Sequence, residues 1–236
     1  SCHVRVYNYN GTSWNQLGQD IDGEDSYNYS GYAVSLNSDG TIVAIGAHGN
    51  DGNGSDAGHV RIYNLTGTSW SQLGQDIDGE ASQDYSGYEV SLSANGTRVA
   101  ISAGGNDGVN GTNSGHVRIY NYSNSSWNQL GQDIDGEDAN DWTSHVTLSD
   151  NGNTVAVGSD LNDGYSNNSG HVRIYNFYGN SWNKIGDDID GEASGDKSGS
   201  SLSLSSDGSI VAIGARYNDG NGTNSGHVRI YKNNNG

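Results

Sequence analysis

Residues 59–63 read His-Val-Arg-Ile-Tyr, and the rest of the chain is organised around this stretch. Four further copies begin at His3 (with Val in the fourth place), His116, His171 and His227. The copies recur every 55 to 57 residues, a period typical of tandem-repeat architectures. Within each copy Val and Ile alternate with His, Arg and Tyr, which predicts a β-strand with two unlike faces.

Three other segments accompany each copy. In the first repeat they lie at residues 13–18, which contain a Trp, at 31–36, and at the apolar stretch 41–47. Asn-Gly at 10–11 and Asp-Gly at 39–40 are tight-turn signals. The stretch at 41–47 is apolar at both odd and even positions, so we expect a strand buried on both faces.

This pattern predicts an all-β fold, a β-propeller built from four tandem repeats of about 56 residues, each a four-stranded antiparallel blade. The four repeats form either a whole propeller or part of a larger propeller or array. A β-solenoid is the alternative, but its coils are usually shorter and lack consecutive hairpin turns. We predict a single domain over 1–236. Its repeats cover about 3–58, 59–115, 116–170 and 171–226, followed by an extra strand at 227–232.

The repeat yields two expectations about packing. A Trp recurs at one place, so equivalent buried sites are predicted for Trp14, Trp70, Trp127 and Trp182. The five His-Val-Arg strands bring the strand count to seventeen, one more than a closed ring of four blades needs. One terminal copy is therefore spare and available to another chain.

Composition limits the function classes. The formal net charge of −18 makes nucleic acid an improbable partner, because phosphate binding needs Lys and Arg. No apolar run is long enough for a membrane span, and no signal peptide is visible. The chain starts inside a repeat, so we expect a mature or excised piece of a longer product. Cys2 is the single cysteine, which excludes an internal disulfide.

The order of segments resembles a known family. Gly31-Tyr32 opens one strand, Gly46-Ala47 ends the apolar strand, and Gly58 precedes the next His-Val-Arg-Ile-Tyr. This succession resembles the FG-GAP repeat of integrin α-subunit propellers and covers all four repeats. The resemblance implies a propeller, usually of seven blades, in extracellular adhesion or ligand binding.

The calcium loop of that family is not matched. Its place between the two strands holds only short hairpin turns, at residues 37–40, 93–96, 149–152 and 205–208. These turns are too short to surround a cation, and the Pro of the family's Gly-Ala-Pro is absent. The family's calcium sites therefore do not transfer to these positions.

An Asp-Ile-Asp-Gly-Glu motif recurs in each repeat and is the candidate metal site. Its carboxylates are Asp20, Asp22, Glu24, Asp76, Asp78, Glu80, Asp133, Asp135, Glu137, Asp188, Asp190 and Glu192. Alternate carboxylates on an extended segment share one side, as a calcium site requires. The alternative is salt bridging to the strand arginines, which recur with the acids: Arg5, Arg61, Arg118, Arg173 and Arg229. No other cofactor is expected.

Two loops are weaker candidates for a cation site. Asp51 and Asp219 begin Asp-Gly-Asn-Gly stretches whose oxygen side chains are spaced as in the first half of an EF-hand loop. No Glu closes either loop, and turn formation explains the composition as well.

Ten Asn-x-Ser/Thr sequons are candidate glycosylation sites in a secreted chain, and all are predicted to lie in turns or loops. They begin at Asn10, Asn28, Asn53, Asn64, Asn95, Asn110, Asn121, Asn124, Asn167 and Asn221.

These features favour an extracellular or surface-exposed, non-catalytic module for binding or adhesion, with a protein or glycan ligand. The alternative is a structural subunit of an extracellular filament, assembled from copies of itself through the terminal strands. We do not expect an enzyme, because almost every polar feature is repeated, whereas catalysis needs one distinct constellation. The entry to the third strand does vary between repeats, with Gly-Tyr at 31–32 and 87–88 but Gly-Ser at 199–200, which indicates an adaptable edge.

Overall fold

The computed structural model describes residues 2–233; Ser1 and residues 234–236 of the predicted domain lie outside the described residues. This part of the chain is all β and contains no helix, hence none that could cross a membrane. The N-terminal segment forms β1 (His3–Val4), β2 (Tyr7–Tyr9), β3 (Trp14–Gln16) and β4 (Ile21–Asp22). Blade one comprises β5 (Ala33–Leu36), β6 (Ile42–Ala47), β7 (His59–Thr66), β8 (Ser69–Gln72) and β9 (Ile77–Asp78).

The other blades repeat this order. Blade two comprises β10 (Val90–Leu92), β11 (Arg98–Ala103), β12 (His116–Ser123), β13 (Ser126–Gln129) and β14 (Ile134–Asp135). Blade three comprises β15 (His145–Leu148), β16 (Thr154–Ser159), β17 (His171–Tyr178) and β18 (Ser181–Asp190). Blade four comprises β19 (Ser198–Leu204), β20 (Ile210–Ala215) and β21 (His227–Lys232).

Each blade is an antiparallel sheet with its strands in chain order, so the predicted β-propeller architecture is confirmed for residues 2–233. The blades are offset from the predicted repeats by half a repeat. Blade one takes β5 and β6 from the first repeat and its outer strands from the second. The N-terminal segment, in which β1 pairs with β4 and β2 with β3, corresponds to the outer half of a blade, and we call it the half-blade.

The apolar core lies between successive blades. The predicted double burial of the apolar strand is confirmed, since Val43 to Ala47 in β6 are buried. One face of β6 packs on the half-blade, and the other face packs on blade two. Val60 and Ile62 of β7 are 0% exposed beneath blade two. The equivalent Val228 and Ile230 of β21 are 66% and 71% exposed, so the outer face of blade four is uncovered.

The Trp prediction is confirmed for three residues and wrong for the fourth. Trp70, Trp127 and Trp182 are buried between blades, whereas Trp14 on the half-blade is 69% exposed. The reason is that each buried indole packs on the preceding blade, and among residues 2–233 no blade precedes the half-blade.

Candidate binding site at the channel mouth

The first strands of the four blades border a common channel. Val34, Val90, His145 and Ser201, one from each blade, line a single cavity of about 340 Å³. At one end of this channel lie the residues that enter each first strand and those that leave each second strand. We call this end the aromatic mouth and define its ring cluster as Tyr29, Tyr32, His48, Tyr85, Tyr88 and Trp142.

The rings of the mouth form one continuous set of contacts. His48 stacks on Tyr29 at 5.2 Å between ring centroids and meets Tyr32 edge-on at 4.3 Å. Tyr32 contacts Tyr88 at 5.1 Å, and Tyr85 contacts Trp142 at 5.8 Å. The cluster therefore spans three blades, since β5, β10 and β15 follow its members in the chain.

Polar groups lie beside the rings. The Arg216 guanidinium donates to Asp160 at 2.9 Å, and Arg216 also lies over the ring of Tyr217 at 5.2 Å. Glu89 Oε2 accepts the backbone N–H of Val146 at 2.9 Å. The same oxygen lies 3.2 Å from His145 Nδ1. A cavity of about 170 Å³ is bordered by both kinds of side chain, including Tyr88, Trp142, Lys197 and Arg216.

Two rings of the mouth, Tyr88 and His48, have shifted pKa values that favour their neutral forms near pH 7. The neighbouring Tyr32 hydroxyl and burial raise the pKa of Tyr88 to about 12. Burial lowers the pKa of His48, against the opposing effect of Asp56. His48 Nδ1 is buried and has no hydrogen-bond partner within residues 2–233. The mouth thus offers uncharged aromatic faces next to a few charged and hydrogen-bonding groups.

Several positions of the mouth differ from one repeat to another. Equivalent positions hold Tyr29, Tyr85, Trp142 and Lys197; His48, Gly104, Asp160 and Arg216; and Ala33, Glu89, His145 and Ser201. The sequence predicted a variable strand entry but not that these positions meet. The signal was present as differences between otherwise similar repeats, and only the fold shows that they converge.

The acidic motifs pair with the strand arginines. Arg118 binds Asp133 of its own repeat at 2.7 Å and Glu80 of the preceding motif at 2.6 Å. Arg61 contacts Asp76 and Glu24 in the same way, and Arg173 contacts Asp188 and Glu137. Arg5 holds Asp20 through two hydrogen bonds of 2.8 and 2.9 Å, and Arg229 lies 3.7 Å from Glu192.

The three acids of one motif do not converge on one point. Glu24 instead lies with His59 and Asp76 of the next repeat, and equivalent groups contain Glu80 with His116 and Glu137 with His171. Asp22 and Asp190 are exposed and are not members of these groups. The guanidinium occupies the space between the carboxylates, while calcium binding by the motifs stays a prediction.

Burial has opposite consequences for the acids and histidines of these groups. Burial would raise the pKa of Asp133, but hydrogen bonds from Arg118 hold it below its usual value. Asp135 lacks that help, so burial raises its pKa. Burial lowers the pKa of His59, His116 and His171. Each His is therefore a neutral packed residue near pH 7.

A set of buried aspartates was missed by sequence reasoning. Asp84, Asp141 and Asp196 are 2–3% exposed. Asp84 Oδ2 accepts the backbone N–H groups of Glu80 and Ala81 and the side-chain amide of Asn106 at 3.0 to 3.1 Å. These carboxylates fasten the acidic motif to the loop after the second strand. Asp51 and Asp219 have a similar local role, since their side chains accept the backbone N–H of Asp56 and Asn224.

The sequons are not all in loops. Asn64 and Asn121 lie within β7 and β12 and are half-buried, so their predicted loop placement is wrong. The sequence predicts turns at these two sequons, but β7 and β12 run three residues beyond the pentapeptide. Asn28 is in a loop but buried. Exposed loop positions are found for Asn10, Asn53, Asn95, Asn110, Asn124, Asn167 and Asn221.

Comparisons with known proteins agree with the fold. A family model described as the FG-GAP repeat matches residues 189–231. The chain is structurally similar to hydrazine synthase of Kuenenia stuttgartiensis, with a TM-score of 0.52 and 13% sequence identity. That alignment covers 90% of this chain but 49% of the other, so this chain spans about half of its length. At this identity the likeness concerns the fold alone. Curated proteins yield no match.

Proposed function

We propose that this chain, an FG-GAP-like β-propeller, is a secreted or surface-exposed, non-catalytic binding module whose aromatic mouth takes a glycan. The observation that carries the proposal is the convergence of aromatic and polar side chains from successive blades on one channel-facing site. Binding sites combine apolar ring surface with a few well-placed polar groups. Here Tyr32, Tyr88 and Trp142 supply the rings, and Asp160 and Arg216 supply polar groups.

The chemistry of the mouth suits a sugar ring. Aromatic faces carry partial negative charge and attract the C–H face of a pyranose, and carboxylate and guanidinium groups hydrogen-bond its hydroxyls. The net charge of −18 disfavours polyanionic glycans, so the proposed ligand is neutral or basic. The extracellular location is inferred from the FG-GAP resemblance and from the exposed sequons.

Glycan-array screening followed by calorimetry tests this function. Tyr88→Ala and Trp142→Ala should each weaken binding of the best neutral glycan by about tenfold or more, because truncating an aromatic anchor removes its contact area. Tyr178→Ala is the matched control, since Tyr178 is 78% exposed on the outer hairpin of blade three. Unchanged binding in both mouth variants, or turnover of the bound glycan, would contradict the proposal.

A second candidate function is a structural subunit of an extracellular filament. The specific observation in its favour is that both ends of the row of blades expose apolar side chains, with Trp14 at one end and Val228 and Ile230 at the other. Their equivalents in blades one to three are buried, except for Ile174, which is partly buried. This candidate predicts fibres or long oligomers in electron micrographs of the purified chain.

A further inference from the structure

The internal junctions share one anchoring device. At each of three junctions, the Trp of an outer strand lies against a Gly of the preceding blade or half-blade. Trp70, Trp127 and Trp182 donate their indole N–H to the carbonyl oxygens of Leu17, Leu73 and Leu130, each at 2.7 Å. In each case a Gln side chain also bonds both backbone groups of the Trp, as Gln132 does with Trp182. We call this arrangement the Trp slot.

The equivalent slot on blade three is unfilled by any described residue. It consists of Ile185, Gly186 and Asp187 and opens into a cavity of about 330 Å³ that also touches Val211 and Tyr231. A methyl group built on Gly131 would lie 2.8 Å from Trp182, whereas one built on Gly186 would meet nothing within 4 Å. The slot is shaped for an indole that blade four, as described, does not supply.

Blade four, as described, also lacks two features of the other blades: a strand that pairs with the outer edge of its third strand, and an Asp beside its strand arginine. Among residues 2–233, β21 pairs only with β20, which leaves its other edge open. The Nε of Arg229 is buried without a hydrogen-bond partner in the same range, as is the Nε of Arg173. Arg5, Arg61, Arg118 and Arg173 each lie against the Asp that stands fifteen residues further along the chain. Arg229 has no such Asp among residues 2–233: its carboxylate partner there is Glu192 of the preceding motif, and it also donates to the Asp190 carbonyl oxygen and to Ser198 Oγ.

The half-blade carries all the missing parts. β3 is a fourth strand, Trp14 is exposed on it, and Asp20 follows at the position that faces the strand arginine. We infer that residues 14–22 of one copy complete blade four of a second copy of this chain. Trp14 enters the slot at Gly186, Asp20 pairs with Arg229, and β3 runs along β21.

The chain contains two copies of the blade-four third strand, β21 and the N-terminal pair β1 and β2, and only one of them can pair with β3 in a completed blade. β21 forms six residue pairs with β20. Its N-terminal equivalent is split into β1 and β2, which together form five pairs, all with other half-blade strands. β1 and β2 are therefore the copy that gives up its pairing with β3 and β4 when β21 takes its place. Val228 and Ile230 of the second copy then cover blade one of the copy that supplied residues 14–22, in the place held by Val4 and Val6.

The resulting contact joins unlike ends of two copies. Such a heterologous contact builds a ring where the rotation closes and a helical fibre where it does not. The interface continues the packing already present between blades, which favours a second copy over an unrelated partner. The inference is independent of the aromatic mouth and gives the filament alternative its molecular contact.

Sedimentation analysis of the whole chain over a wide concentration range tests the inference. The wild type should associate, and Trp14→Ala should weaken association by at least about 30-fold, because a central aromatic anchor is lost. Tyr178→Ala, another exposed aromatic on an outer hairpin, should have no effect. Asp187→Gln should tighten association by about three- to tenfold, since a carboxylate cannot donate to the Trp carbonyl as Gln does at the other slots.

Disulfide trapping identifies the occupant. Asn8 pairs with Asn15 in the half-blade, so Lys232, the equivalent of Asn8 in β21, should pair with Asn15 of the other copy. The cross-linking variants are made in a Cys2→Ser background, so that the introduced cysteines are the only ones. Mixing an Asn15→Cys chain with a Lys232→Cys chain should give mainly the mixed dimer. A chain with both substitutions that only cross-links internally would show that its own half-blade fills the slot, and would overturn the inference. A monomer at all concentrations, or association insensitive to Trp14→Ala, would also overturn it while leaving the glycan proposal intact.

Discussion

The indole N–H of Trp127 in blade two donates a 2.7 Å hydrogen bond to the carbonyl oxygen of Leu73 in blade one. Trp127 is only 3% exposed, so the junction is stabilised both by this hydrogen bond and by burial of the apolar indole ring. The same geometry recurs at the neighbouring junctions, so adjacent blades are held together by one repeated anchor. The stability of the row therefore depends on these indoles.

Trp127→Ala should lower the free energy of unfolding by roughly 3–5 kcal/mol, since it leaves a large cavity between two blades. Trp14→Ala is the matched control: the same residue type in the same repeat position, but 69% exposed. Urea unfolding of both variants at a concentration where the chain is monomeric measures the difference. Equal losses for the two would show that burial at the junction is not what stabilises the blades.

The bridging arginines make a second prediction. Arg118→Ala should cost about 1.5–3 kcal/mol, because charge-assisted hydrogen bonds to Asp133 and Glu80 are lost from a side chain that is 15% exposed. Arg5→Ala, whose pair with Asp20 is open to solvent, should change the melting temperature little. If the Arg5 variant loses as much stability as the Arg118 variant, the expected difference between exposed and buried arginine pairs is wrong.

Chelation distinguishes the two interpretations of the acidic motifs. The guanidinium groups already lie between the paired carboxylates, where a cation would have to bind, so we expect EDTA to leave the melting temperature unchanged and millimolar calcium to have no effect. A fall on chelation that is reversed by calcium would support the metal interpretation instead. Magnesium at the same ionic strength controls for general screening.

Stability should decrease as the pH falls from 7 to 5. Burial depresses the pKa of His59, His116 and His171 in the folded state, so the unfolded chain binds protons more readily. Their contribution is present above the unfolded pKa of about 6.5 and is lost as the pH drops through the folded value.

Thermal melts across this range measure the effect. His116→Gln should reduce the pH dependence, whereas His3→Gln, at an exposed strand entry, should preserve it. A melting temperature that rises between pH 7 and pH 5 would be the opposite of the expected sign.

The sequence by itself determined the repeated parts of the protein. The alternation of Val and Ile with polar residues fixed the His-Val-Arg-Ile-Tyr strands, and the apolar stretch at 41–47 fixed a strand buried on both faces. Asp-Gly and Asn-Gly turns fixed the antiparallel order. These properties are local, because they follow from backbone geometry and from side-chain period within a few residues.

Tertiary structure alone decided what happens at the junctions, the ends and the mouth. Four Trp residues look equivalent in sequence, yet Trp14 is exposed because burial depends on a neighbouring blade and not on the residue itself. The acidic motifs look like self-contained clusters in sequence, but each bridging Arg joins acids of two successive repeats. The rings of Tyr32, Tyr88 and Trp142 are more than fifty residues apart at each step, and only the radial arrangement of blades brings them to one channel mouth.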